Sequence, residues 1–187
     1  MRRVGLFVAV VGPSGVGKDS LIRAVAARFL DDPGFLVVRR VITRASDAHE
    51  EHDTLDLAAF EAARSAGRFA LTWGAHGLYY GIPVEVDAAL AAGKIVVGNL
   101  SRGAVGEARR RWPEVLAALV TARPETLAAR LAERGREGAE DRRDRLNRTL
   151  RESFAFEPDA AIDNDGPLEA AAKELLGLIL RRAENLK

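Results

Sequence analysis

Cysteine is absent from the 187 residues of the chain, which excludes disulfides and thiolate metal sites. Aromatic residues are scarce at 6%, and no stretch interleaves them with basic side chains, so a stacking surface for nucleic acid is not expected. Net charge is nearly missing, because 28 Lys and Arg stand against 27 Asp and Glu. That balance excludes the global basic field by which many proteins attract polynucleotides. Long apolar runs are lacking too, since nothing approaches the roughly 18 residues that cross a bilayer. Residues 4–11 are apolar but few, and no small-residue cleavage site follows the basic pair Arg2 and Arg3. The segment therefore reads as a buried strand and not as a leader. Repeats and low-complexity tracts are also missing. A cytoplasmic protein is expected, with one domain, a full-sized core and small flaps.

What is present is an alternation of strands and helices. Residues 6–11 form an apolar run with no polar alternation, as in strands buried on both faces. Helix follows at 19–30, with Leu21, Ile22, Val25, Ala26 and Phe29 on one face. A second strand is predicted over 35–42, then a polar irregular stretch over 43–54. Asp56 is placed to cap a short helix through Ser65 that Gly67 stops. Two short strands, 69–73 and 78–82, flank a Gly-containing turn, and a helix over 83–92 carries Pro83 in its first turn. Strands are expected at 95–100, 115–121 and 160–163, and helices at 103–111, 124–133, 141–154 and 167–183. This order implies an α/β fold with a central parallel sheet and helices on both faces. Two stretches interrupt it, 43–82 and 134–140. Insertions at the active edge of a sheet usually carry function.

The strongest local signal is Gly12, Pro13, Ser14, Gly15, Val16, Gly17 and Lys18, between a strand and a helix. Glycines at this spacing let successive N–H groups turn inward and form an anion nest. The start of the helix adds its positive end, and Lys18 would reach the β- and γ-phosphates of a nucleotide. The pattern expects Ser or Thr after the lysine to hold Mg²⁺, but Asp19 stands there and Ser20 comes next. Adjacent helix positions point about 100° apart, so Ser20 is no simple substitute. Two readings of Asp19 stay open: a ligand to Mg²⁺, directly or through water, or an acid favoured by the helix dipole. The strand at 95–100 ends in Gly98, Asn99 and Leu100 with no metal-holding acid, which favours the first.

From Gly12 onward the order of features resembles guanylate kinases over nearly the whole chain. The shared pieces are the phosphate loop, the Thr43-Arg44 pair, His76-Gly77-Leu78-Tyr79-Tyr80-Gly81, and Ala91-Ala92-Gly93-Lys94 before a strand. Arg134-Gly135-Arg136 with Arg145-Leu146 resembles that family's arginine lid, and Asp163-Asn164-Asp165 its segment near the adenine. The guanine-reading positions depart from the pattern. Asp47 replaces a second arginine, Thr72 replaces the Glu before Trp73, Ile82 replaces a Ser, and Gly98 to Leu100 replace acids. A buried site without its donors and acceptors loses its discrimination.

With its ATP machinery kept and its base reader lost, the chain resembles the ribose 1,5-bisphosphate phosphokinases of phosphonate metabolism. The residues that carry this are Gly17-Lys18-Asp19-Ser20, Ile42-Thr43-Arg44, Trp73 to Pro83, and Asn99-Leu100-Ser101-Arg102. The resemblance implies a P-loop fold of nucleoside-monophosphate-kinase type over 1–187, with a substrate-binding insertion about 43–82 and a lid about 134–140. It implies transfer of the γ-phosphoryl of ATP, with Mg²⁺, to the 1-phosphate of ribose 1,5-bisphosphate, giving 5-phosphoribosyl 1-diphosphate and ADP. Catalytic roles fall to Lys18, Arg134, Arg136 and Arg145, and a place beside the adenine to Asn164. The ATP phosphates would be held by positions Gly12 to Ser20. Arg40, Arg44 and Arg102 are candidates for the acceptor's two phosphates, and His52, His76 and Tyr80 for phosphate or sugar hydroxyls. Each histidine is equally readable as an ordinary structural imidazole. Two other functions are weighed against this one. A divergent guanylate or other nucleoside-monophosphate kinase conflicts with the lost base reader. A non-catalytic guanylate-kinase-like binding module conflicts with the retained Lys18 and lid arginines.

Overall fold

Strand β1 (Leu6–Val11) is buried at all six positions and sits at the centre of a five-stranded parallel sheet. The computed structural model describes residues 4–45, 52–75, 77–133 and 156–186. The sheet runs β2 (Phe35–Val37), β7 (Ile95–Asn99), β1, β8 (Val115–Thr121), β9 (Ala160–Asp163). Successive residues of β1 point to opposite faces, and the two apolar layers divide accordingly. Leu6, Val8 and Val10 pack with Leu21 and Val25 of α1 (Lys18–Ala26) and with Leu175 and Ile179 of α6 (Leu168–Glu184). Phe7, Ala9 and Val11 pack with Val86 of α3 (Glu85–Ala91) and with Val105 and Ala108 of α4 (Val105–Arg111). Helix α5 (Pro124–Glu133) follows β8 and adds Leu127 to the first layer.

A second, four-stranded sheet stands beside the parallel one, in the order β4 (Asp53–Thr54), β3 (Val41–Ile42), β6 (Leu78–Pro83), β5 (Phe69–Ala75). Strands β5 and β6 form an antiparallel hairpin, β3 pairs antiparallel with β6, and β4 runs parallel to β3. Helix α2 (Leu57–Ser65) covers one face through Phe60, whose ring lies 4.8 Å from that of Phe69 and 6.0 Å from that of Tyr79. Asp56 caps α2 as expected, its Oδ1 accepting from the Ala59 N–H at 2.7 Å.

Four local expectations are corrected. The single strand expected over 35–42 is two, β2 in the parallel sheet and β3 in the second. The last rung of the first is the Val38 N–H to Val97 carbonyl bond at 2.9 Å, after which the chain changes partners. Gly98 makes room for that crossing, since a Cβ there would lie 2.5 Å from Val38 Cγ1. The stretch expected to be irregular contains β4, because Asp53 and Thr54 find an open edge on β3. Pro83 ends β6 opposite Phe69 and does not open α3, and α1 stops at Ala26, short of Leu30. The helix expected over 141–154 and the loop over 134–140 lie outside the described residues.

At the end of the sheet remote from the phosphate loop, Asp87 ties α3 to α4. Its Oδ1 accepts from Trp112 Nε1 at 2.8 Å and from Arg111 Nε at 3.1 Å, and Arg111 Nη2 reaches Oδ2. The Arg111 hydrogen bonds, with Trp112 adding to them against a desolvation cost, hold this carboxyl below its ordinary value of 3.8. A depressed folded-state pKa adds stability above the unfolded value, and that stability is lost as pH falls through the folded value. Asp87→Asn should therefore destabilise the fold by about 1–2 kcal/mol at neutral pH. Its deficit should shrink below about pH 4. Urea unfolding of both proteins at pH 7 and pH 3 checks this, and an equal deficit at both would refute it.

Candidate active site

The phosphate loop leaves the carboxyl end of β1 at the switch point between β7 and β8, where doubly wound sheets bind ligands. Gly12 (φ 148°), Gly15 (φ 81°) and Gly17 (φ 93°) all lie at positive φ. Gly12 is also confined in space, since a Cβ would meet the Val120 carbonyl oxygen at 2.4 Å. Helix α1 begins at Lys18, whose Nζ curls back and donates to the carbonyls of Gly12 at 3.0 Å and Pro13 at 2.8 Å. The ammonium is thus held at the mouth of the loop. Gly15 and Val16 are buried, Ser14 is exposed, and Ser20 is half-buried on α1.

Asp19, on the first turn of α1, accepts from Asn99 Nδ2 at 3.1 Å. Asn99 is 6% exposed and ends β7, opposite Val10 of β1. An amide occupies the strand end where a metal-holding acid commonly sits, and it orients the carboxylate that stands on the helix instead. One carboxylate plus phosphate oxygens and water is a donor set that suits Mg²⁺, so these residues fit the ion. Among the described residues no three Asp, Glu or His side chains gather into a metal cluster.

The second sheet carries several of the other candidates. Paired strands put Arg40, Ile42, Tyr80, Ile82, Trp73 and Leu71 on one face, because pairing and the two-residue period conserve the side. Arg40 is 9% exposed, and its guanidinium carbon lies 5.8 Å from the centre of the Tyr80 ring. Tyr80 in turn stacks on Trp73, with centroids 5.4 Å apart and planes 6° apart. Strand β5 packs against the short 3-10 turn Arg102–Ala104 that follows β7, of which Ala104 is buried. Arg44 is half-buried beyond β3, and its carbonyl accepts from Thr54 Oγ1 at 3.0 Å. His52 is 2% exposed with Nδ1 3.2 Å from the Asp53 carbonyl, and its buried Nε2 finds no partner among the described residues.

Asn164 turns its side chain onto the phosphate loop. It is 3% exposed, and Nδ2 donates to the Val16 carbonyl at 2.7 Å. Its Oδ1 is buried and without a partner among the described residues. Asp165 beside it accepts from the Arg123 N–H at 2.9 Å and from Arg123 Nε at 2.7 Å. The backbone N–H of Arg123 is the chief cause holding the Asp165 carboxyl below its ordinary range. His76, Arg134, Arg136 and Arg145 lie outside the described residues. Sequence reading missed three residues of this region. Trp73 enters the sequence reading only as part of a motif, Asn99 as part of another and as the absence of an acid, and Arg130 is not singled out. Stacking order and partners across the fold carry their roles, and neither is written in local spacing.

No family model matches the chain. It is similar to curated proteins named ribose 1,5-bisphosphate phosphokinase PhnN. The one from Acidiphilium cryptum is 46% identical over 181 residues, covering 97% of this chain and 96% of that protein. The one from Brucella melitensis is 43% identical over 173 residues, covering 92% and 90%. Among solved structures, guanylate kinase from Anaplasma phagocytophilum matches with a TM-score of 0.70 at 20% identity, over 100% of this chain and 89% of that one. A gluconokinase from Sinorhizobium meliloti matches at 0.57 and 22% identity, over 100% and 97%. At such identities these two structures show the fold alone, that of P-loop kinases.

Lys18→Ala is expected to leave the fold intact and to cut phosphoryl transfer by about 10²–10³-fold or more, since in the catalytic role expected of it the side chain would act on charge that develops in the transition state. Steady-state turnover with a circular-dichroism control measures it, and near-normal turnover would remove Lys18 from the chemistry.

Proposed function

The chain belongs to the ribose 1,5-bisphosphate phosphokinase family, and on that premise we propose that it moves the γ-phosphoryl of ATP to the 1-phosphate of ribose 1,5-bisphosphate. The products are 5-phosphoribosyl 1-diphosphate and ADP. The observation that carries this is the pairing of a phosphate loop with a sheet face whose described residues are cationic and aromatic and include no carboxylate. Among the described residues of the second sheet's four strands the only acid is Asp53, exposed and 3.6 Å from Arg39. Guanine presents N1–H and an amino group that need acceptors, whereas this face presents Arg40, Tyr80 and Trp73, with Thr72 on the opposite face and Ile82 buried in the core. A sugar bisphosphate has no base edge to satisfy.

The nucleophile is already a phosphate oxyanion, so no catalytic base is required. The task is to bring polyanions together in line, which is done by alignment and electrostatic stabilisation. In this reading the loop from Gly12 to Ser20 holds the ATP phosphates, Lys18 follows the transferring group, and the adenine lies at the end of β9 beside Asn164. Asp19 would hold Mg²⁺, directly or through water, and the ion would supply positive charge against the phosphate oxygens. Asn99 keeps the Asp19 carboxylate turned toward the loop. Arg40, Arg44 and Arg102 meet the two acceptor phosphates, and His52, His76 and Tyr80 the phosphate or sugar hydroxyls. The insertion about 43–82 carries the acceptor, and the segment about 134–140 closes with Arg134, Arg136 and Arg145 over the phosphates. The setting expected for this chemistry is the cytoplasm. Among the described residues no helix is long and apolar enough to cross a membrane.

Phosphorus NMR of mixtures with ATP, Mg²⁺ and either ribose 1,5-bisphosphate or GMP tests the assignment. The bisphosphate should be favoured in kcat/KM by roughly a thousandfold or more, since two or three unpaired polar edges multiply. A preference for GMP would make the protein a divergent guanylate kinase. Chelating Mg²⁺ should abolish turnover with either acceptor. Arg44→Met should lower kcat/KM for the bisphosphate by about 10–100-fold through loss of a charge-assisted phosphate contact. An unchanged value would take Arg44 out of the acceptor site.

A further inference from the structure

The carbonyl of Val16, in the phosphate loop, is the acceptor for two side chains from distant elements. Asn164 Nδ2 donates to it at 2.7 Å from the end of β9, and Arg130 Nη1 at 3.4 Å from α5. Arg130 Nη2 also donates to the backbone carbonyl of Asn164 at 2.9 Å, which closes a three-way link. Asn164 is 3% exposed, so water competes little for its amide. Gly17 completes the fit, since a Cβ there would lie 2.6 Å from Asn164 Nδ2 and 4.0 Å from Arg130 Nη1.

The Val16 carbonyl and the Gly17 N–H belong to one planar peptide unit, and in a trans peptide they point in opposite directions. Drawing the carbonyl toward β9 and α5 therefore turns the N–H away from them. We propose that Asn164 and Arg130 are positioning residues that aim the Gly17 N–H at the nucleotide phosphates and so set the anion nest before the ligand arrives. The inference rests on the phosphate-loop reading given above. Glycine at Gly17 (φ 93°) leaves this peptide soft on its own. A nest donor is useful only if its direction is fixed, because reorienting it on binding would consume the affinity it provides. The link is also an explanation for Asn164 that does not depend on a contact with adenine.

Inorganic tripolyphosphate carries the phosphates of ATP without the base, so it separates the two roles. Its affinity for the full chain is measured by calorimetry, and the Gly17 amide is followed by ¹⁵N NMR. Asn164→Ala, a neutral change, should weaken tripolyphosphate by about tenfold and diminish the shift of the Gly17 amide on binding. Arg130→Lys keeps the charge and loses the planar fork, and should show a smaller loss of the same kind. Because both act through one carbonyl, the double variant should lose less than the product of the single losses. Unchanged tripolyphosphate affinity and an unchanged Gly17 shift in folded Asn164→Ala would overturn the proposal, as would a loss confined to ATP. If the unaltered chain does not bind tripolyphosphate, the phosphate-loop reading fails and the proposal with it. Should Asn164→Ala not fold, Asn164→Leu and Arg130→Lys carry the same comparison.

Discussion

β1 is hydrogen-bonded to β7 on one side and β8 on the other, and every residue in it is buried. A strand held on two edges and two faces cannot slide or tilt without breaking a ladder and opening both apolar layers. Its last residue therefore delivers the chain into the phosphate loop at a fixed point and direction. The same two neighbours supply what the loop needs around it. Asn99 at the end of β7 meets Asp19, and the Val120 carbonyl on β8 closes the space above Gly12. The loop starts from a strand that is paired on both edges and buried on both faces.

The second sheet answers a different requirement. In the proposed reaction an acceptor would approach the loop from outside and leave as product, which a separate element with its own small core would suit. Phe60 stacked on Phe69 gives that element a hydrophobic centre of its own. On its other face Leu71 and Ile82 join the main core, while Arg40, Tyr80 and Trp73 form a stacked row. A guanidinium over an aromatic ring remains charged and loses little of its attraction for an anion, yet its position is restrained. Such a row suits a ligand recognised by charge and shape more than one recognised by a base edge.

Electrostatics links the two halves. Polyanions that repel each other are to be brought into contact, and the protein places cations and N–H groups where that repulsion is greatest. The exchange of roles between Asp19 and Asn99 belongs to this balance. Two carboxylates about 3 Å apart would repel and raise each other's pKa, whereas an amide beside a carboxylate orients it without adding charge.

Much of this was legible before any coordinates. The phosphate loop was, because its glycines and lysine act through backbone conformations that depend on neighbours in the chain. The cap at Asp56 and the unbroken apolar run of β1 were readable for the same local reason. The break between β2 and β3, the strand at Asp53 and the ending of β6 at Pro83 were not, since apolar periodicity reports that a strand exists and not which partner it takes. The contact between Asn99 and Asp19 spans 80 residues, and that between Asn164 and Val16 spans 148. Spacing along a chain carries no information about such pairs, and a lone Asn or Arg reads the same whether solvated or buried against a loop. The sequence by itself determined that phosphates are bound, and by which loop, because that chemistry is written in consecutive residues. Only the tertiary structure decided which distant side chains hold that loop and which side chains share a face of the second sheet, because packing and strand pairing alone bring those residues together.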